Sequence, residues 1–216
     1  MDFIGAYSPD HLIFLLKGFW VTIEIAAVSI FFSFVIGGLI GVFRYAKVPV
    51  VSLVLAVLVE LVRNLPLLLI IFFVYFALPE IGIKFGITWS AIIALTVFES
   101  AMVSEIIRSG LNSVHKGQIE AGRSSGLSYV QTLMHIVLPQ GLRRMVPPLV
   151  SQFISLLKDT SLAVVIALPE LMHHAQVINA QNVNYIVPVF LLISVMYFVV
   201  NYGLSLVARR LELKVE

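Results

Sequence analysis

Five charged side chains of this sequence fall inside long apolar stretches: Glu60, Arg63, Glu99, Lys158 and Asp159. A charge at the middle of a membrane costs at least about 2.5–3.5 kcal/mol, so each of these residues must be neutralised by a partner or used by the protein. Glu60 and Arg63 have the i, i+3 spacing of an ion pair on one helix face. Lys158 and Asp159 are adjacent, so on a regular helix their side chains point about 100° apart and do not serve one pocket.

The same groups could instead bind a zwitterion, which needs both signs of charge within a short distance. In that interpretation Arg63 holds a carboxylate through two parallel hydrogen bonds, Asp159 receives an ammonium group, and Glu60 lies near the ligand's side chain. Neighbouring amide and hydroxyl groups supply secondary contacts, and these belong to Asn64, Thr160 and Ser161. The sequence therefore offers an amino-acid site and a structural ion pair as alternatives.

Two long apolar segments are interrupted near their middle by these polar residues. In VSLVLAVLVELVRNLPLLLIIFFVYFAL the charges precede Pro66, and in MVPPLVSQFISLLKDTSLAVVIAL residues 158–161 separate two apolar runs that are too short to span alone. Paired interrupted helices are typical of transporters, where half-helix ends near the bilayer midplane hold the ligand. Irregular backbone at that depth must be buried in protein or line a cavity. We therefore predict a transport site at these breaks.

The composition is that of an integral membrane protein. Hydrophobic residues make up 60% of the chain and charged residues 12%, against about 25% charged in ordinary soluble domains. The mean hydropathy is +1.02. The net charge of +2 and the position of the cations at membrane boundaries indicate neither a nucleic-acid partner nor an acidic substrate. The absence of cysteine excludes disulfides, thiolate metal sites and thiol catalysis.

The apolar segments predict an all-α protein with a single transmembrane domain, 1–216. A membrane helix needs about 20 apolar residues, and five segments qualify: about 18–43, 48–78, 87–107, 140–168 and 185–208. Ten cations fall on one side of the predicted membrane: Arg44, Lys47, Arg108, Lys116, Arg123, Arg143, Arg144, Arg209, Arg210 and Lys214. Lys17 and Lys84 fall on the other. Because positively charged loops stay in the cytoplasm, we expect the N-terminus outside and the C-terminus inside.

The longest polar interruption is EAGRSSGLSYVQTLMHIVLP, from Glu120 to Pro139. It predicts a short helix over about 118–125 that stops at Gly126, where a left-handed residue often ends a helix. Ser128 and Gln131 have the spacing of a capping box that starts a second helix. We expect five apolar side chains to turn toward the membrane-embedded part: Ile119, Leu127, Val130, Leu133 and Met134. Polar groups would face a partner, and these are Glu120, Arg123, Ser124 and Ser125.

Two short patterns imitate ligand sites but lack essential parts. Gly117, Gly122, Arg123 and Ser124 nearly reproduce a phosphate-binding loop, but the lysine is missing and no strand precedes the glycines. We therefore expect no nucleotide bound by this chain. His173 and His174 are adjacent and would point apart on one element, so we predict no metal site there. The polar connection that contains them, PELMHHAQVINAQNVNY, is predicted to be a solvated external rim.

Three stretches of this sequence carry a resemblance to a known family. Glu120-Ala121-Gly122, three residues, Gly126, nine residues and then Ile136-x-Leu138-Pro139 resemble the cytoplasmic loop signature of permease subunits of binding-protein-dependent ATP-binding-cassette (ABC) importers. HKGQIEAGRSSGLS, LPQGLRRMVPPL and SLLKDTSL are similar to the polar-amino-acid branch, and most similar to glutamine permeases. Gly122 departs from the pattern, which usually has a second alanine there.

The resemblance implies a MetI-like ABC importer permease fold in the bacterial cytoplasmic membrane. It implies a cytoplasmic coupling loop at about 108–139, in which an ATPase contacts Glu120, Ala121, Gly122, Arg123, Ser124 and Gly126. It also implies substrate contacts at Asp159, Glu60 and Arg63. The implied partners are a second permease subunit, identical or paralogous, two cytoplasmic ATP-binding subunits and an extracytoplasmic solute-binding protein. ATP and magnesium would be used by the ATPase, and this chain would bind no cofactor.

The function that follows from the resemblance is inward transport of a polar amino acid, with glutamine first and glutamate or aspartate second. FESAMVSEIIRSG also resembles permeases for acidic amino acids, so Glu99 either tunes selectivity or bonds a neighbouring helix. A secondary transporter driven by an ion gradient is a rival that the buried carboxylates alone would permit. A membrane-embedded enzyme is disfavoured, because the chain has no HExxH, no G-x-S-x-G and no cysteine nucleophile.

Overall fold

The computed structural model describes residues 1–212, and every regular element in that part of the chain is helical. The eleven α-helices follow in the order α1 Phe3–Ala6, α2 Pro9–Tyr45, α3 Val51–Arg63, α4 Leu67–Phe72, α5 Leu78–Glu80, α6 Ile87–Asn112, α7 Lys116–Ser124, α8 Tyr129–Thr132, α9 Leu138–Asp159, α10 Leu171–Asn179 and α11 Ile186–Glu212. Lys214, which was assigned to the predicted basic tail, lies outside the described residues.

Four helical stretches are long and apolar enough to cross a membrane: Pro9–Tyr45, Ile87–Asn112, Tyr129–Ile166 and Val183–Arg210. A fifth crossing results if the bent pair formed by α3 and Leu67–Glu80 counts as one span. The helix α2 begins nine residues before the predicted start, because Pro9 can occupy the first turn without losing a hydrogen bond. The helix α6 continues to Asn112, so the loop between the third and fourth spans is shorter than the predicted 108–139.

The predicted second helix, 48–78, is two helices that meet at 103°. The first, α3, ends at Arg63, and Pro66 in an extended conformation precedes α4. A proline ring disfavours a helical conformation of the residue before it, which agrees with the end of the helix ahead of Leu65. A π-helical turn, Phe73–Ala77, then joins α4 to α5. The predicted interruption is therefore present, and it produces a sharp turn.

The fourth predicted helix, 140–168, also ends at its polar residues. The helix α9 runs to Asp159, and a 3₁₀ segment, Thr160–Ile166, follows it. Ala167 then takes a left-handed conformation with φ of 58° and leads into α10. The sequence did not predict α10, because its residues were interpreted as an irregular polar connection.

The bundle is organised around the pairing of α2 with α6. A Cβ atom on Gly37 would lie 2.7 Å from the Ser100 carbonyl oxygen, and one on Gly41 would lie 2.7 Å from that of Ser104. Only glycine permits this approach, so the G-x-x-x-G spacing serves packing within the subunit. On Gly38 the nearest atom would be 3.8 Å away, on Ile107.

One end of the bundle carries a cluster of ion pairs, and we call it the basic end. Arg44 at the end of α2 donates to Glu105 of α6 at 2.9 Å, and Arg108 also pairs with Glu105. Glu105 and Arg108 have the i, i+3 spacing of an ion pair on one helix face. Arg144 of α9 donates to the carbonyl and hydroxyl oxygens of Ser113, which closes α6. The helix α11 begins beside α1 at the opposite end, so Arg209 and Arg210 lie at the basic end.

Candidate functional site

The first break brings three of the predicted site residues together. Arg63 lies 3.7 Å from a carboxylate oxygen of Glu60, and Asn64 donates both to that carboxylate, at 3.0 Å, and to the Glu60 carbonyl, at 2.7 Å. The Glu60 side chain is 66% exposed and that of Arg63 34% exposed. The predicted ion pair is therefore confirmed. Its exposed carboxylate and the remaining guanidinium N–H groups stay available to other groups.

The second break places its polar residues on different sides of the chain. Lys158 and Ser161 line a groove of about 600 Å³ beside α11, together with Ser194 and Asn201. Asp159 is half-buried and lies near enough to Glu99 of α6 for their charges to interact. Thr160 is buried, and its hydroxyl donates to the Leu157 carbonyl. The structure therefore confirms that Lys158 and Asp159 face different surroundings.

Glu99 is the most deeply buried acid of the α6–α9 contact. Its side chain is 0% exposed, and one carboxylate oxygen accepts a hydrogen bond of 3.1 Å from the Gln152 side chain. The other oxygen has no hydrogen-bond partner among the described residues. One of the two roles left open by the sequence, bonding to a neighbouring helix, is thus observed. Sequence analysis missed Gln152, although an amide inside an apolar run such as LVSQFISLL is a recognisable signal.

The two breaks adjoin each other through an apolar layer. Leu67 and Ile70 of α4 pack in one buried cluster with Ala163 and Ile166 of the 3₁₀ segment. Among residues 1–212, however, no ion pair or hydrogen bond joins Arg63 to Asp159. The structure therefore brings the predicted carboxylate-binding and ammonium-binding groups to neighbouring breaks without direct contact.

The polar stretch between α6 and α9 folds as a knob of two short helices, α7 and α8, at the basic end. The helix α7 is capped by His115 and stops before Gly126, whose φ is 87°. Ser128 and Gln131 form both bonds of the predicted capping box. A π-helical turn, Leu133–Val137, then joins α8 directly to α9.

The knob offers most of the predicted coupling residues to solvent. Those exposed are Glu120, Ala121, Arg123, Ser124 and Gly126. Gly122 is buried, because the end of the Ile136 side chain covers it. A Cβ atom on Gly122 would lie only 2.4 Å from that side chain. Gly122 therefore packs the knob and does not present itself to a partner.

The predicted apolar face of the knob is only partly correct. Ile119 and Leu133 pack against the core, but Val130 is 63% exposed and Met134 54% exposed. The π-helical turn changes the helical period after four residues, so Thr132 and Val137 are buried instead.

One histidine of the adjacent pair, His174, does not lie on a solvated rim. His174 is 9% exposed, and its ring stacks on Phe14 with ring centroids 3.9 Å apart. Its Nδ1 also lies 2.7 Å from the Phe14 carbonyl oxygen. His174 thus packs α10 against α2, and the predicted solvated position is wrong for this residue.

Comparison with known proteins identifies a family and a relative that matches along the full chain. Residues 18–216 match the family model described as the binding-protein-dependent transport system inner membrane component. The chain is 70% identical over 216 residues to a probable glutamine ABC transporter permease protein of Bacillus subtilis (strain 168), and 99% of each chain is covered.

Two solved structures share the fold. A chain from the crystal structure of an amino acid ABC transporter with histidines matches with a TM-score of 0.92 and 26% identity, covering 99% of both chains. A chain of the inward-facing MetNI methionine ABC transporter matches with a TM-score of 0.74 and 22% identity, covering 94% of this chain and 99% of that one. The fold is therefore MetI-like.

The Gln152–Glu99 bond generates the first prediction. Replacing Gln152→Leu leaves the buried carboxyl without its donor, which costs about 1–3 kcal/mol. We expect a melting temperature in detergent lower by about 2–4 °C per kcal/mol lost. Gln140→Leu is the matched control, because Gln140 lies on the same helix and donates only to the Ile136 carbonyl of its own chain segment. Equal melting temperatures for the two variants would show that the Glu99 bond contributes nothing.

Proposed function

Because this chain belongs to the family of binding-protein-dependent transport system inner membrane components, we propose that it is the permease subunit of an ATP-driven importer of L-glutamine. The observation that carries the proposal is the 70% identity, along the full chain, to a probable glutamine permease. Binding and hydrolysis of ATP with magnesium belong to partner subunits in this proposal, and the permease itself is not an enzyme.

The chain is a multi-pass bacterial membrane protein, and we propose that its basic end faces the cytoplasm. The cluster of Arg44, Arg108 and Arg144 lies at that end, as does the end of α11. Basic residues at membrane boundaries remain on the cytoplasmic side. The knob then projects into the cytoplasm, and α10 lies near the outer surface.

The proposed assembly contains two permease subunits, identical or paralogous, two cytoplasmic ATPase subunits and an external solute-binding protein. The geometry that supports it is the connection from the knob to the second break. The α8 helix, its π-helical turn and α9 form one continuous helical stretch, and the 22 residues of α9 alone measure about 33 Å. A displacement of the knob by a closing ATPase dimer would therefore reach Asp159 at the far end of a stiff rod.

The proposed substrate site uses the two adjoining breaks. Arg63 binds the carboxylate of the amino acid, Asp159 binds its ammonium group, and Glu60 lies near its side chain. Asn64 gives a secondary contact, whereas Thr160 is fully buried and Ser161 lines the groove beside α11.

Glutamine is the first candidate substrate because the relative with 70% identity is a probable glutamine permease. Glutamate and aspartate are the second candidates.

The substrate assignment predicts a loss of uptake when the proposed ammonium partner is neutralised. In vesicles containing the complete complex, Asp159→Asn should lower ATP-dependent uptake of labelled glutamine at least about tenfold, the effect of losing about 1.4 kcal/mol of binding energy. Asp10→Asn is the control, because Asp10 lies exposed in the first turn of α2. Undiminished uptake in Asp159→Asn would assign Asp159 a structural role.

The coupling assignment predicts a specific effect at Gly126. Gly126→Asp strains a backbone with φ of 87° by about 1–2 kcal/mol and adds a charge to the exposed knob. We expect normal membrane insertion but no ATP-dependent uptake.

Gly82→Asp is the matched control for that variant. Gly82 has a φ of 88°, and like Gly126 it has open space where a Cβ atom would lie, but it is located between α5 and α6, away from the knob. Normal uptake in Gly126→Asp, or an equal loss in Gly82→Asp, would contradict coupling through the knob.

A further inference from the structure

Glu170 is a fully buried carboxylate that the proposed substrate site does not use. It is 0% exposed and lies in the link between the 3₁₀ segment and α10. Its carboxylate accepts hydrogen bonds from the backbone N–H groups of Met172, at 2.9 Å, and His173, at 2.7 Å. The hydroxyl of Tyr197 on α11 donates to it at 3.3 Å.

The N-terminus of α10, next to Glu170, is also attached to α2. The backbone N–H of Leu171 donates to the Thr22 hydroxyl at 3.2 Å, and the Glu170 carbonyl lies against Gly18, where a Cβ atom would be only 3.0 Å away. Three elements of the bundle, α2, α10 and α11, therefore converge on Glu170. We call Glu170, Tyr197 and Thr22 the clamp.

The clamp touches both ends of the segment that contains the second break. The Tyr197 side chain lines the same groove as Lys158 and Ser161 at the beginning of this segment, and its hydroxyl bonds Glu170 at the end. The residues between them form a 3₁₀ helix, which has poorer hydrogen-bond geometry than an α-helix and depends on its surroundings. One tyrosine thus lies beside the beginning of the segment 160–170 and bonds its end.

Glu170 does more than cap the N-terminus of α10. Short side chains such as serine, threonine, aspartate and asparagine are the usual caps. A buried carboxylate is costly unless paired, and no cation pairs with Glu170 among residues 1–212. The longer glutamate reaches both the α10 backbone and the Tyr197 hydroxyl, which a short cap would not do.

We propose that Glu170 and Tyr197 are positioning residues that hold the broken fourth span in the geometry that presents Asp159 and Ser161. The clamp acts through the backbone of the 3₁₀ segment, and it touches no substrate. Its predicted effect on transport rests on the proposed function, whereas its effect on the position of the segment does not.

The absence of cysteine allows the position to be measured directly. A single Ser161→Cys substitution reports the exposure of the segment to a small water-soluble maleimide, and Ser194→Cys reports the α11 side of the same groove. Each is combined with Tyr197→Phe, which removes only the hydroxyl, or with Glu170→Gln. Tyr202→Phe is the control, because Tyr202 is exposed on the same helix and stacks on Phe198.

We expect Tyr197→Phe to raise the labelling rate at position 161 about fivefold, the effect of losing one hydrogen bond, with little change at position 194. ATP-dependent glutamine uptake should fall in parallel, and the melting temperature in detergent should fall by about 2–4 °C, because the buried Glu170 carboxylate loses one of its donors. Glu170→Gln should act in the same direction. Tyr202→Phe should change none of these quantities.

Unchanged labelling at position 161 in Tyr197→Phe would overturn the proposal, and so would an equal rise at position 194, which would indicate general loosening. If Glu170→Gln fails to fold, Tyr197→Phe still decides. A wild-type complex that does not transport glutamine would contradict the proposed function alone, because the labelling comparison needs no substrate.

Discussion

Inside a membrane no water is available to bond backbone N–H and C=O groups, so the protein itself must supply their partners. The structure depends on how its two broken helices satisfy these groups. At the first break, the N–H of Asn64 bonds the carbonyls of Glu60 and Leu61, and its side chain also bonds the Glu60 carbonyl. Pro66 lacks an N–H group, and its carbonyl accepts from Leu69 and Ile70. One role of Asn64 is therefore to satisfy backbone carbonyl groups at this break.

The second break meets the same constraint mainly through local hydrogen bonds. Ala167 and Leu168 bond back to carbonyls of the 3₁₀ segment, and Glu170 bonds the first N–H groups of α10. Because a 3₁₀ segment is a weak element, its position depends on α2 and α11 at the clamp. At its other end the break continues into α9 and the knob. The fourth span thus links the basic end to the polar residues of the proposed site.

Much of this arrangement could be predicted from the sequence. Apolar length gave the spans, polar residues within them marked both breaks, and the Ser128–Gln131 spacing gave the capping box. The local sequence did not show which prolines interrupt a helix and which ones a helix accommodates. Pro66 precedes a turn of 103°, whereas α9 continues through Pro147 and Pro148. The neighbours in space decide that outcome, and a single sequence does not contain them.

Some contacts of the candidate site could likewise be predicted from sequence spacing, and others could not. The Glu60–Arg63 pair follows from i, i+3 spacing, but the contact of Glu99 with Gln152 joins residues 53 positions apart. Gly122 was assigned to the partner surface from its motif, yet the Ile136 side chain covers it in the folded knob. His174 packs on Phe14, 160 positions away. Such contacts depend on the tertiary fold, so sequence spacing cannot reveal them.

The central claim is that this chain works as one part of an ATP-driven importer, with a polar site at its broken spans moved by the knob. The most direct test measures labelled glutamine uptake into vesicles containing the complete complex, with ATP on the side of the knob and the solute-binding protein on the other, before and after ionophores remove all ion gradients. The account predicts uptake that requires ATP and the binding protein and survives the ionophores. Uptake without ATP that collapses with the ion gradient would contradict it and identify a secondary transporter.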